Sequence, residues 1–216
     1  MEDKLLQIKS WLGTGSINIF GIQFSGKDTV GKRLADAIGA EFLSSGDVMR
    51  ATFANKELAA NEEIWQAAKT GSLNGSYMPT REFADMITQR LSQSDLIGKS
   101  LILSTVGRWI GEEVPVLEAL QKGAHDTKAV LVLNISEEES WRRWKLAGNS
   151  RNGGRDDDIS EEKVARRIGE FKTKTLPVIE VYRQMGILLE IDGEQDRDKV
   201  FFDVIDMLDK FSKTSQ

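Results

Sequence analysis

Gly21-Ile22-Gln23-Phe24-Ser25-Gly26-Lys27-Asp28-Thr29 decides how this chain is read. Apolar residues dominate at 17–22, and the stretch at 27–38 carries apolar positions at helical spacing, so the glycine-bearing turn joins a strand to a helix. Two glycines spaced G-x-x-x-x-G-K let the backbone turn tightly with its amides converging on phosphate oxygens. The helix that opens there adds its positive N-terminal end, and Lys27 reaches the outer phosphates. All three act on one anion. Gly21, Ser25, Gly26, Lys27, Asp28 and Thr29 are therefore candidate ligands of a nucleoside triphosphate. A hydroxyl suited to a magnesium ion comes one place after the residue that follows the lysine, at Thr29.

Outward from this loop, five short apolar runs at 17–22, 41–44, 101–104, 130–135 and 187–191 stand between longer segments of helical pattern. Three of the runs lack apolar/polar alternation, as expected of a parallel sheet covered on both faces. The helical segments are 27–38, 47–68, 80–91, 112–121, 137–144, 161–185 and 198–211, after an amphipathic lead-in with Leu5, Leu6, Ile8, Trp11 and Leu12. Strand then helix, repeated, predicts an α/β doubly wound five-stranded parallel sheet with helices on both faces. Loops at 70–76, at Gly107 and Gly111, and at 147–154 are where ligand-facing segments are expected.

The 216 residues suit one domain, spanning 1–216, and 40% hydrophobic with 29% charged residues suits a globular chain with a core. No cysteine is present, which excludes disulfides, thiol catalysis, zinc ribbons and iron–sulfur clusters. One histidine, His125, expected as an exposed bystander in a loop, leaves little for histidine chemistry. Any chemistry must rest on Lys, Arg, Asp, Glu and backbone. The net charge of −5 argues against a nucleic-acid binder. No run approaches the roughly 18 apolar residues that span a bilayer, and Met1-Glu2-Asp3 is unlike a basic leader. No membrane partner and a cytoplasmic location are expected.

Gly26-Lys27-Asp28-Thr29 resembles the Gly-Lys-Gly-Thr of adenylate kinases and other nucleoside monophosphate kinases, a P-loop NTPase-type family, with Asp in place of the second glycine. The resemblance continues in order. Phe42-Leu43-Ser44-Ser45-Gly46-Asp47-Val48-Met49-Arg50 is similar to the family's segment whose arginine binds the monophosphate, with Ser45 near its base. Met78-Pro79 is similar to the end of the monophosphate-binding segment, here about 45–79, with residues 74–77 inserted ahead of it. Leu103-Ser104-Thr105-Val106-Gly107-Arg108 takes the place of a motif that ends in the same arginine. Arg143 matches an arginine that packs on the ATP adenine. Gly154-Arg155-Asp156-Asp157-Asp158, followed by Arg166-Arg167-Ile168, resembles a short lid, about 147–158. Thr175-Leu176-Pro177-Val178-Ile179 leads to the last strand.

The resemblance implies an ATP-dependent phosphotransferase of nucleotide biosynthesis, a monomer acting with Mg²⁺ on a nucleoside monophosphate, AMP first and GMP second. It implies Lys27, Arg108, Arg155 and Arg167 as catalytic residues and Ser45, Arg50, Met78, Arg108 and Glu112 around the acceptor. The residues support this on physical grounds, because phosphoryl transfer needs spread negative charge neutralised by positioned cations, and arginine's fork matches phosphate oxygens. Three departures matter. Ser104 replaces an aspartate that helps hold magnesium, which leaves Thr29 and Asp28 as metal candidates; Asp28 is alternatively a first-turn helix acid. Glu112 replaces a glutamine that reads adenine, and an ionised carboxylate suits guanine's two donors. Ala147 replaces a lid-base arginine, a role Arg151 can take. Asp156–Asp158 are either a solvated turn or hinge partners of lid arginines. A non-catalytic ATP-binding regulator and a kinase of a non-nucleotide metabolite are the alternatives.

Overall fold

A computed structural model describes residues 1–74, 76–148 and 160–214. Five strands, β1 (Ser16–Gly21), β2 (Glu41–Ser44), β3 (Leu101–Ser104), β4 (Thr127–Asn134) and β5 (Leu188–Asp192), form one sheet in the order β2-β3-β1-β4-β5. Every pairing is parallel. All six residues of β1 are buried, as a central strand requires. From β1 the chain steps out to β2, returns to β3 and then crosses to β4 on the other side. That reversal opens a crevice beyond the carboxyl ends of β1 and β3, the standard ligand position in such sheets.

Alternation along β1 assigns its neighbours. Ile17 and Ile19 point with Leu131 and Leu189 into a core built by α1 (Glu2–Leu12), α2 (Lys27–Ile38) and α10 (Arg197–Thr214). Phe20, Val130 and Val132 face α8 (Glu161–Glu170) and α9 (Leu176–Gln184). Leu43, Leu101 and Leu103 pack under α3 (Ser45–Ala54), α4 (Glu62–Asn74), α5 (Thr80–Leu91) and α6 (Glu113–Lys122). A further helix, α7 (Glu137–Gly148), follows β4. Among the described residues no helix is long and apolar enough to cross a membrane.

Four expectations need correction. The segment 47–68 is not one helix: it breaks after α3, runs through a 3₁₀ turn at Lys56–Leu58 and resumes as α4. Asn55 leaves the helical region and its Oδ1 accepts from the Glu57 amide at 3.1 Å, while Asn61 Oδ1 accepts from Ile64 at 2.9 Å. Short amide side chains here compete with the helix ladder. The expected loop at 70–76 is helical as far as Asn74. Residues 161–185 split at a π-helical turn, Phe171–Thr175, because Pro177 has no N–H to continue the ladder and the Leu176 amide bonds back to the Phe171 carbonyl. His125 is 1% exposed, its ring Nδ1 lying 2.9 Å from the Thr14 carbonyl.

Two glycines give opposite expectations for the same change. A Cβ on Gly31 of α2 would meet the Phe42 ring at 2.5 Å, whereas one on Gly169 of α8 meets nothing within 4 Å. Alanine gains about 1 kcal/mol of helix propensity at either site, but overpacking costs about 1–3 kcal/mol at Gly31. Gly169→Ala should raise the melting temperature by roughly 2–4 °C and Gly31→Ala should lower it, as calorimetry would show.

Candidate active site

The loop that leaves β1 is held from behind by α7. Ser140 Oγ donates to the Gln23 carbonyl at 2.7 Å, and Arg143 Nη1 donates to the carbonyls of Phe24 and Ser25 at 3.4 and 3.3 Å. Phe24 and Gly26 take left-handed backbone angles, with φ of 61° and 91°. A side chain on Gly21 would run into the Ser25 side chain and lie 3.0 Å from the Leu133 carbonyl, so the first glycine is required by packing. Ser25 Oγ ends up buried with no hydrogen-bond partner.

A second loop follows β3 and is fixed by a buried polar residue of the central strand. Asn18 Nδ2 donates to the Val106 carbonyl at 2.6 Å, and its Oδ1 accepts from the Val106 amide at 3.3 Å. Thr105 and Gly107 on either side adopt positive φ of 55° and 71°. Glu112 completes the loop: its Oε2 accepts from the amides of Arg108 and Trp109 at 2.8 and 3.1 Å. Arg108 is thereby presented at the strand end, only 7% exposed.

Between these loops lies a pocket lined by Lys27, Asp28, Ser45, Arg50, Arg108 and Arg167, with Ser104 and Tyr77 among the remaining walls. Four cations from four segments thus face one space, and Asp28 is the one acid among its described walls. Arg50 pairs with Asp47 one turn earlier in α3, and Ser104 Oγ donates to Asp28 Oδ1 at 2.5 Å. Arg108 Nε, Arg108 Nη2 and Thr105 Oγ1 are buried without partners. Burial lowers the Arg108 pKa first, and the like charge of Arg167 adds to this. Orphaned donors in a strongly positive pocket describe an anion site.

Other expected residues lie elsewhere. Thr29 is exposed and Met78 is 1% exposed within the core under α4. Arg143 binds the loop carbonyls, the Gly193 carbonyl at 2.7 Å and Glu139 at 2.7 Å, so its edges are engaged and only its planar face remains for a base. Glu112, expected to read the acceptor base, is instead fully buried with its carboxylate on loop amides. Arg155, Arg151, Gly154 and Asp156–Asp158 lie outside the described residues, as does most of the 147–158 lid. Sequence reasoning missed Tyr77, although the insertion that carries it was visible. It also missed Thr105 and the role of Asn18, because a positive φ on a threonine and a side chain beneath a loop leave no mark in residue spacing.

A central β-strand, a lysine-bearing loop and converging arginines at the open end of a parallel sheet define a phosphate-transferring P-loop protein. The family model for adenylate kinase matches residues 19–187. The chain is 28% identical over 195 residues to the adenylate kinase of Phocaeicola vulgatus, covering 90% of this chain and 98% of that one. It is 32% identical over 182 residues to the adenylate kinase of Leifsonia xyli subsp. xyli, with 84% and 87% covered. Against that of Stenotrophomonas maltophilia it is 30% identical over 182 residues, with 84% and 92% covered. The chain belongs to the adenylate kinase family, and it is a phosphotransferase of the nucleoside monophosphate kinase type.

The buried Glu112 makes stability depend on pH. Burial pushes its carboxyl up from 4.5 to about 7, against the opposing pull of Arg108 and the loop amides. Because the folded pKa lies above the unfolded one, the stabilising contribution is complete below pH 4.5 and is lost as pH rises through about 7. The loss approaches about 3 kcal/mol. Urea unfolding should show wild type falling relative to Glu112→Gln between pH 4.5 and 7.5; a constant difference would contradict the burial account.

Proposed function

We propose that this chain transfers the γ-phosphoryl group of ATP, carried with Mg²⁺, to AMP, with GMP as the second acceptor. The observation that carries the reading is the convergence of Lys27, Arg50, Arg108 and Arg167 on one pocket, where Arg108 Nε and Nη2 are buried without hydrogen-bond partners. An oxygen of the acceptor phosphate attacks the γ-phosphorus while the bond to the β–γ bridging oxygen breaks, leaving two diphosphates. The attacking oxygen is already ionised at neutral pH, so the step needs no general base. A pocket with no histidine and a single hydrogen-bonded acid suits it. What remains is charge neutralisation and alignment, which fixed cations supply.

Lys27 is assigned to the migrating phosphoryl group, Arg50, Ser45 and Arg108 to the acceptor phosphate, with Arg108 on its donor-facing side, and Arg167 to the closing side. Arg155 is assigned to the lid. The free face of Arg143 is assigned to the ATP base, since a guanidinium with engaged edges still stacks. The family's relatives named adenylate kinases favour AMP. The Glu112 carboxylate, bound to backbone amides, gives guanine no preference over adenine.

Magnesium fits these residues as an ion that arrives with ATP. Among the described residues no three acids cluster to hold a metal, whereas one oriented carboxylate plus phosphates and water suits this ion. Asp28, oriented by Ser104, would hold it, and Thr29 is too exposed to be first choice. When bound, the ion supplies further neutralisation of the β and γ oxygens. The 45–79 segment is assigned to acceptor binding. It already touches α8, where Lys163 Nζ donates to the Leu73 carbonyl at 3.1 Å and Arg166 Nη1 to the Asn74 carbonyl at 3.2 Å.

An acceptor screen with ATP·Mg²⁺ should give AMP the highest turnover and GMP the next; ATP binding with no transfer to any monophosphate would mean a regulator instead. Lys27→Met should keep the fold and cut turnover by roughly a hundred- to a thousandfold, as losing a transition-state charge partner does. Asp28→Asn should raise the Mg²⁺ concentration needed for half-maximal rate and weaken Mn²⁺ binding to the ATP complex, which paramagnetic resonance would report.

A further inference from the structure

Tyr77 comes from the short insertion between α4 and α5, and its ring lies on the Arg108 guanidinium with the Cζ 3.7 Å from the ring centroid. Phe83 of α5 gives the same guanidinium a second ring at 5.1 Å. Stacking occupies the plane of a guanidinium and leaves its N–H bonds, which lie in that plane, for oxygen acceptors. Nε and Nη2 are the two donors that share one edge, and both are buried without a partner. Two water-excluded donors side by side cost free energy unless a ligand supplies two oxygens. Arg108 lines the phosphate pocket, so those oxygens belong to an anion bound there.

We propose that Tyr77 is a positioning residue: its ring clamps Arg108 so that the Nε/Nη2 edge stands preformed for two oxygens of the acceptor phosphate. The proposal rests on the acceptor role assigned to Arg108. The clamp is itself anchored across the site. The Tyr77 hydroxyl lies 3.4 Å from Thr175 Oγ1 in the π-helical turn, and Lys174 of that turn sits 3.9 Å over the Trp109 ring, next to Tyr77. Rings and cations therefore alternate from α5 through the β3–α6 loop to the turn after α8. Arg108 is held from two sides of the pocket before any substrate contributes. Without the ring, a long side chain with several rotatable bonds must be ordered when the anion arrives, and that ordering weakens binding.

The test is a double-mutant cycle read by calorimetry of AMP binding without ATP or metal, alongside steady-state kinetics. Tyr77→Leu should weaken AMP binding roughly tenfold, which is 1.4 kcal/mol, and raise the acceptor KM with the KM for ATP unchanged. Tyr77→Phe, which keeps the ring and drops the hydroxyl, should stay within about twofold of wild type, by the same conversion of energy to affinity. Arg108→Lys, which keeps charge and loses the fork, should weaken AMP binding, and adding Tyr77→Leu to it should cost little more. Unchanged ATP binding in the two Tyr77 variants, and a wild-type circular dichroism melting midpoint in all of them, report an intact fold. Losses that add, or a Tyr77→Leu protein that binds AMP as well as or better than wild type, would overturn the clamp while leaving the acceptor role of Arg108 in place. An Arg108→Lys protein with unchanged AMP binding would overturn that role and the clamp together.

Discussion

Lys27, Arg50, Arg108 and Arg167 repel one another, and the architecture around them serves to keep them facing the same space. No single loop holds the group. Lys27 opens α2, Arg50 lies in α3, Arg108 follows β3 and Arg167 lies in α8. Each is borne by an element whose position is set by the sheet and its three apolar clusters. Hydrophobic burial far from the pocket therefore supplies the free energy that holds these cations around one space.

The same logic explains polar residues in unexpected places. Asn18 sits in the middle of a buried strand, a costly position for an amide unless it is fully paired. Its two bonds to Val106 compensate for that and shape the loop that carries Arg108. Glu112 acts from below on the next amides, at the cost of a carboxyl that resists ionisation. Arg143 and Ser140 do for the glycine loop what Asn18 and Glu112 do for the second loop. Both loops that border the pocket are thus shaped by side chains packed behind them.

The two departures at positions 28 and 104 have a simple geometric content. A carboxylate expected on β3 is a serine, Ser104, while the first turn of α2 carries Asp28, and the two meet at 2.5 Å. A negative charge thus lies within hydrogen-bond reach of position 104, carried by a different stretch of backbone. Glycine at the position of Asp28 would leave Ser104 facing cations without an acid nearby, so the two departures from the family's pattern make sense only as a pair.

The sequence by itself determined the sheet, because unbroken apolar runs buried on both faces need no partner information to be read, and the glycine loop with Lys27, because its chemistry is local. The resemblance to adenylate kinases also marked Arg50, Arg108 and Arg167, since the motifs that carry them are short and local. Tertiary structure alone decided which faces those residues present. Glu112 was legible as an acid near the acceptor, yet its carboxylate turns down onto backbone amides that the sequence does not position. The helix breaks at Asn55 and after Glu170 were likewise hidden, since a side-chain amide bond or a proline seven residues downstream competes with a ladder that the apolar pattern alone would continue. The contact of Tyr77 with Arg108 joins residues 31 positions apart through the packing of α5, and no periodicity in the chain encodes a distance of 3.7 Å across that gap.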